Sequence, residues 1–334
     1  MSAPALPLDL LRDVSRSFYL TLRVLPARIR PQIGLAYLLA RTTDTIADTE
    51  LVVLERRTEA LRLLRDRILG ASEAPLNFGE FVQHQGAPAE RTLLQQCESS
   101  LAALRSFTPP DLKLLQEVLD KITSGQELDL RRFAGASAKH VVALRTDDEL
   151  NDYTYRVAGC VGEFWTRMCR SHLFPNAPLD DSALLADGIR FGKGLQLVNI
   201  LRDLPRDLRQ GRCYLPAEKL RAAALEPEDL LDPANELRLR PLYAGYLDQA
   251  EAHLRAGWTY TNSLPRGSVR VRLACAWPIQ VGFETLKLLR VHNVLDSAQR
   301  IKIPRRRVKR LILGSILRYP WPRAWQRLVP ILPE

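Results

Sequence analysis

Apolar residues recur every third or fourth position along most of this chain, with polar residues between them, which is the period of amphipathic helices. The pattern predicts helices over 8–24, 29–48, 51–69, 90–106, 110–124, 150–171, 235–263 and 268–291, with a further one opening the stretch 190–216. Thr108-Pro109-Pro110-Asp111 and Thr146-Asp147-Asp148-Glu149 are helix openings, with a capping hydroxyl and acids in the first turn. Residues 70–90 and 174–181 read as loops, strand signals are scarce, and Gly and Pro fall mostly between the periodic runs. No internal repeat and no Gly/Ser linker interrupts the series. The expectation is an all-α protein, a single helical domain over residues 1–300 followed by a tail at 301–334.

The stretch 190–216 carries the first candidate chemistry. Leu195, Val198, Leu201 and Leu204 form its apolar stripe, while Gln196, Asn199 and Asp203 share a neighbouring face and Asp207 follows four residues on. A basic loop, Arg209 to Arg212, then leads to Tyr214-Leu215-Pro216. Two carboxylates one turn apart, flanked by an amide and fixed cations, suit a magnesium-bridged phosphate. They equally suit a solvated helix face laced with Asp/Arg pairs. Pro205 cannot donate to the carbonyl of Leu201, so the helix is expected to kink or end there and to carry Asp207 off the ideal direction.

A second copy of the device lies at 37–48. Asp44 and Asp48 are again four apart, with Arg41 one turn before Asp44 and Tyr37 one turn before Arg41. Were the two helices to face each other, four carboxylates would converge, and their repulsion would call for divalent cations.

Composition narrows the setting. At 334 residues, 46% hydrophobic and with a mean hydropathy of −0.15, the chain can bury a sizeable core, and no apolar run approaches a membrane span. Five cysteines without CxxC spacing read as reduced thiols, and no basic n-region precedes an apolar core at the N-terminus, so a cytoplasmic protein is expected. Residues 301–334 hold nine cations against one acid, so +8 of the net +10 sits in the tail and the body is nearly neutral. That distribution is no nucleic-acid footprint. Val308, Leu311, Ile312 and Ile316 fall on one helical face among those cations, followed by Tyr319, Trp321 and Trp325, so the tail is expected to lie on the inner face of an anionic membrane. Packing of that apolar face on the body is the competing expectation.

Other chemistries find no support. Gly192-Lys193-Gly194 lacks the third glycine and the preceding strand of a dinucleotide site, the five histidines never pair at metal-ligand spacing, and no GxSxG is present.

Ser15-Arg16-Ser17-Phe18, Tyr37 with Arg41 and DTIAD, Tyr153 with VAG at 157–159, and QLVNILRDLPRD followed by GRCYLP together resemble the squalene/phytoene synthase family. The motifs run in order from about residue 14 to 290. The resemblance implies the isoprenoid-synthase fold around a central cavity and head-to-head condensation of two farnesyl diphosphates through presqualene diphosphate to squalene, with Mg²⁺ and NADPH. Presqualene diphosphate, hydroxysqualene, dehydrosqualene and phytoene synthases are the alternatives within the family, and a non-catalytic membrane scaffold the alternative outside it. It implies Asp44, Asp48, Asp203 and Asp207 as metal ligands, and Ser15, Arg16, Arg41, Arg202 and Arg212 at the diphosphates. Gln196 and Asn199 would support the second cluster, and Tyr37 and Tyr153 would face the reacting carbons. Gly159, Gly162, Gly192 and Gly194 would admit a prenyl chain or serve close helix packing. A monomer is expected. Arg206 stands where the family often has an acid, which makes the second motif less negative.

Overall fold

The computed structural model describes residues 8–15, 18–299 and 301–329. Contacts divide the chain into two units, Met1–Ala134 with Glu163–Asn176, and Gly135–Gly162 with Ala177–Glu334. No helix among the described residues is long and apolar enough to cross a membrane.

In the first unit, α1 (Leu8–Ser15) and α2 (Phe18–Val24) precede α3 (Arg30–Asp48), then come α4 (Leu54–Leu69), α5 (Gly79–His84), α6 (Pro88–Gln95), α7 (Cys97–Leu104) and α8 (Pro109–Arg132). The expected loop at 70–90 contains α5 and the start of α6. Phe78 and Phe81, both buried and packed edge to face at 6.0 Å, give that stretch an anchor too short to show as a period. In α3, Pro31 lies in the first turn, where a missing N–H costs nothing. Thr42 and Thr45 in α3, and Thr49 just after it, are buried because each hydroxyl donates to the carbonyl four residues back, at 2.9, 2.9 and 2.6 Å. Asp111, only 4% exposed, accepts from Gln32 Nε2 at 2.9 Å and meets His172 Nε2 at 2.7 Å. A buried carboxylate thus finds two partners and fixes the start of α8 against α3.

The second unit begins with β1 (Val142–Ala143), α9 (Asp147–Thr154) and a π-helical turn at Tyr155–Gly159 that runs into α10 (Cys160–Leu173). It continues with α11 (Asp181–Arg209), β2 (Arg212–Cys213), α12 (Ala217–Ala222), two 3₁₀ turns at Pro227–Leu231 and Pro233–Asn235, α13 (Glu236–Ser263), α14 (Val269–Val291), α15 (Arg305–Arg318) and α16 (Pro322–Gln326). Thr146 caps α9 by accepting from the Glu149 amide. The strands, which the sequence did not announce, pair in parallel, Val142 with Arg212 and Ala143 with Cys213.

Helix α11 does not end at Pro205. It continues to Arg209, because Tyr243 Oη on α13 donates at 2.9 Å to the Leu201 carbonyl that Pro205 leaves without its helical donor. The glycines of this unit serve helix packing. A Cβ at Gly192 would lie 2.1 Å from Ala158 O, and one at Gly162 would lie 1.9 Å from Gly188 O. All five cysteines are buried, and none is paired in a disulfide.

Candidate active site

In the first unit, α3 presents the motif residues in successive turns. Tyr37 Oη donates to Val14 O at 3.3 Å, which brings the end of α1 to the same place, and Ser15 there is 3% exposed with its Oγ unpartnered among the described residues. Arg16 lies outside the described residues. Arg41 NH1 lies 3.6 Å from Asp44 Oδ2, and its NH2 donates to Glu90 of α6. Gln126 of α8 donates to Asp44 Oδ1. Asp48, one turn on, is exposed.

The electrostatics of this cluster follow from that geometry. Surrounding protein, and then the like charge of Asp48, push the Asp44 carboxyl up to about 6, although Arg41 and Gln126 act in the opposite sense.

In the second unit, Arg202 grips Asp203 with two hydrogen bonds, Nε to Oδ1 at 2.8 Å and NH2 to Oδ2 at 2.6 Å. Asp207, one turn further along α11, is mostly buried and lies 4.0 Å from Arg206 Nε. Gln196 is half-buried and Asn199 exposed on the same helix. Arg212 sits on β2, held by Val142 N donating to Gly211 O at 2.8 Å and Leu144 N donating to Cys213 O at 3.0 Å. Gly211 has φ +79, and a Cβ there would meet Ser137 N at 2.3 Å, so only glycine serves this turn. Tyr153 stacks on Tyr214 with ring centres 4.6 Å apart, and Tyr214 is buried.

Each half contains residues that the sequence did not single out. Gln126 and Glu90 reach the first motif from helices remote in sequence, and no spacing could have paired 126 with 44 or 90 with 41. Lys193 donates to Asn151 Oδ1 at 2.7 Å and lies 5.7 Å from the Tyr155 ring centre. Gly162, Gly192 and Gly194 meet neighbouring helices of their own unit, so close packing accounts for them without a prenyl chain.

The arrangement can bind and polarise a polyanion through oxygen-coordinated cations. Paired carboxylates suit a hard divalent ion, and a fixed guanidinium beside each pair suits the remaining phosphate charge.

The family model of squalene/phytoene synthase matches residues 11–307. The chain is 28% identical over 228 residues to a squalene synthase of Saccharomyces cerevisiae, covering 68% of this chain and 49% of that protein. Over 314 residues it is 28% identical to a bifunctional lycopene cyclase/phytoene synthase of Gibberella fujikuroi, covering 92% of this chain and 51% of that protein. The chain spans about half the length of these curated relatives. Among solved structures it resembles a ligand complex of TcSQS, with a TM-score of 0.76 at 20% identity over 92% of this chain and 84% of that one. It also resembles the squalene synthase HpnC of Alicyclobacillus acidocaldarius, with a TM-score of 0.60 at 21% identity over 86% and 94%. These likenesses assign the all-α isoprenoid-synthase fold expected from the sequence.

Proposed function

Because the chain belongs to the squalene/phytoene synthase family, whose members are prenyltransferases, we propose that it condenses two farnesyl diphosphates head to head, through presqualene diphosphate, to squalene. The observation that carries this reading is that each DxxxD helix sets an arginine against its own first aspartate, Arg41 by Asp44 and Arg202 by Asp203.

The donor set fits Mg²⁺. Burial, and then the like charge of Asp48, raise the Asp44 carboxyl, and a divalent ion held between the two carboxylates would offset both effects. Asp44 and Asp48 would hold the ion in one unit, Asp203 and Asp207 in the other. When bound, Mg²⁺ supplies the charge that draws diphosphate off an allylic carbon.

The chain's own residues do the rest. Arg41, Arg202 and Arg212, with Ser15 and Arg16, take the phosphate oxygens, and Gln196 and Asn199 support the ligands on α11. Tyr37 and Tyr153 offer aromatic faces to the allylic cation, each contact contributing roughly 0.5–2 kcal/mol. NADPH, held without a Rossmann unit, would supply hydride for the final step.

We further read the chain as a monomer lying on the inner face of an anionic membrane through its basic C-terminal segment, since its substrates and product are lipids.

The test is to incubate the purified protein with farnesyl diphosphate and Mg²⁺, with and without NADPH, and to identify the products. Squalene is expected with NADPH, and presqualene diphosphate or an unreduced hydrocarbon without it. Turnover of geranylgeranyl diphosphate to phytoene, with farnesyl diphosphate left untouched, would replace this reading by a phytoene synthase. If farnesyl diphosphate consumption itself stops without NADPH, the two-step assignment is wrong.

A further inference from the structure

Arg272, in the first turn of α14, is 7% exposed and has no carboxylate within ion-pairing distance among the described residues. Its NH2 donates to Asn262 Oδ1 at 2.8 Å, but that oxygen is already shared with Trp325 Nε1 at 2.8 Å. The guanidinium lies 5.6 Å from the Tyr319 ring centre and 5.5 Å from that of Trp325, and its Nε has no hydrogen-bond partner. Arg266 stands nearby, donating to Pro320 O at 2.8 Å and likewise without a carboxylate among the described residues. Between these side chains lies a crevice of about 200 Å³. Two guanidinium groups facing one crevice without an acid form a site for an anion with oxygens to accept from both.

The surroundings identify the anion. Trp325, Ser315 and Ala276 bury the inner side of α15 and α16 against α14, with Trp277 Nε1 donating to Ser315 Oγ at 2.9 Å. The outer side of α15 runs from Arg306 and Arg310 to Leu313, Ile316 and Leu317, and Trp321 follows. Those four apolar residues are 57%, 44%, 59% and 63% exposed. The sequence put Val308, Leu311, Ile312 and Ile316 on one face. The first three are half-buried, while Ile316 is open and belongs to the outer stripe. An open apolar stripe continuing a cationic one suits the headgroup layer of an anionic bilayer. Arg266 holds the Pro320 carbonyl, and Trp321 is the next residue, so the crevice adjoins the stripe.

We propose that the crevice formed by Arg266, Arg272, Asn262, Tyr319 and Trp325 binds the phosphate of an anionic phospholipid, while Leu317 and Trp321 enter the acyl boundary beside it. This deepens the membrane reading given above and rests on it.

The test is co-sedimentation of the full chain with vesicles of phosphatidylcholine alone or with phosphatidate, competed by glycerol 3-phosphate or inorganic phosphate. The variants are Arg266→Gln, at an exposed position, Arg272→Lys, which keeps the charge and loses the planar fork, and Arg306→Gln, which removes one cation outside the crevice. Wild type should prefer phosphatidate vesicles. Arg306→Gln should weaken binding about fivefold, the worth of one surface cation, and Arg266→Gln and Arg272→Lys more than tenfold. Turnover of farnesyl diphosphate in detergent should be unchanged in all three. If Arg272→Lys does not fold by circular dichroism, Arg266→Gln decides alone. Equal losses for Arg266→Gln and Arg306→Gln would overturn the crevice and leave the membrane reading standing. A wild-type protein that ignores both kinds of vesicle would overturn both. Saturable binding of the soluble phosphates with no preference for phosphatidate would make this a soluble-anion site and overturn the lipid assignment.

Discussion

Tyr243 Oη donates to the carbonyl of Leu201 at 2.9 Å, the acceptor that Pro205 leaves open four residues later in α11. Tyr243 is fully buried, so the bond is made away from water, and it holds the turn that carries Asp203 and Asp207. Tyr243→Phe strands a buried carbonyl and should cost about 1–3 kcal/mol of stability. Urea unfolding measures that loss. Turnover per folded molecule should also fall as the α11 end frays. A variant with wild-type stability would mean that water or a neighbouring amide takes over the carbonyl.

Asp44→Asn and Asp203→Asn should abolish turnover while leaving the helical circular dichroism spectrum unchanged, since both side chains face partners that asparagine can still engage. EDTA should stop the wild type reversibly, with Mg²⁺ restoring it. Full activity in EDTA would remove the metal from the mechanism. Arg202→Lys keeps the charge beside Asp203 but loses the paired hydrogen bonds, and should lower kcat/KM roughly tenfold to hundredfold.

Gly192 and Gly245 make an internal contrast. Gly192→Ala drives a methyl to within 2.1 Å of Ala158 O and should cost about 1–3 kcal/mol or more, with a matching fall in Tm. Gly245 is exposed inside α13 with nothing within 4 Å, so Gly245→Ala should raise stability by about 0.4–1 kcal/mol. Equal responses of the two variants would contradict the packing described for α11.

His253 supplies a pH test. Burial, and then the charges of Arg190 and Lys193, lower its pKa from 6.5 to about 4. Between those values the unfolded chain takes up a proton that the native chain refuses, so stability is full above 6.5 and falls as pH drops towards 4. The largest slope is about tenfold in the folding equilibrium per pH unit. The Tm of His253→Gln, which cannot titrate, should fall less than that of the wild type across this window. Parallel curves would place the acid sensitivity elsewhere.

The helices that position the motifs were legible because their periods are long: α3, α13 and α14 begin and end within a residue or two of the expected limits. Both aspartate pairs and their arginines were legible too, since each pair is local to one helix. What was hidden depends on partners distant in the chain. The sequence says that Pro205 removes a donor but not that Tyr243, on another helix, replaces it. Arg41 announces a cation at Asp44, but Glu90 and Gln126 come from α6 and α8. The two-residue strands have no period to read, and the buried faces of α15 depend on where α14 happens to lie. The glycines of α11 were visible while their purpose was not, since only the contacts with Ala158 and Gly188 separate helix packing from room for a ligand.

The buried thiols give the molecule a chemical clock. Burial pushes Cys97 and Cys213 up to about 12, and only the thiolate attacks disulfides or alkylating agents, so in the closed state these two sulfurs are chemically silent. Cys97 and Cys169 belong to the first unit, and Cys160, Cys213 and Cys275 to the second. The order in which the five cysteines react with a dilute thiol reagent, read by peptide mapping, therefore records which unit opens first, with no substitution introduced.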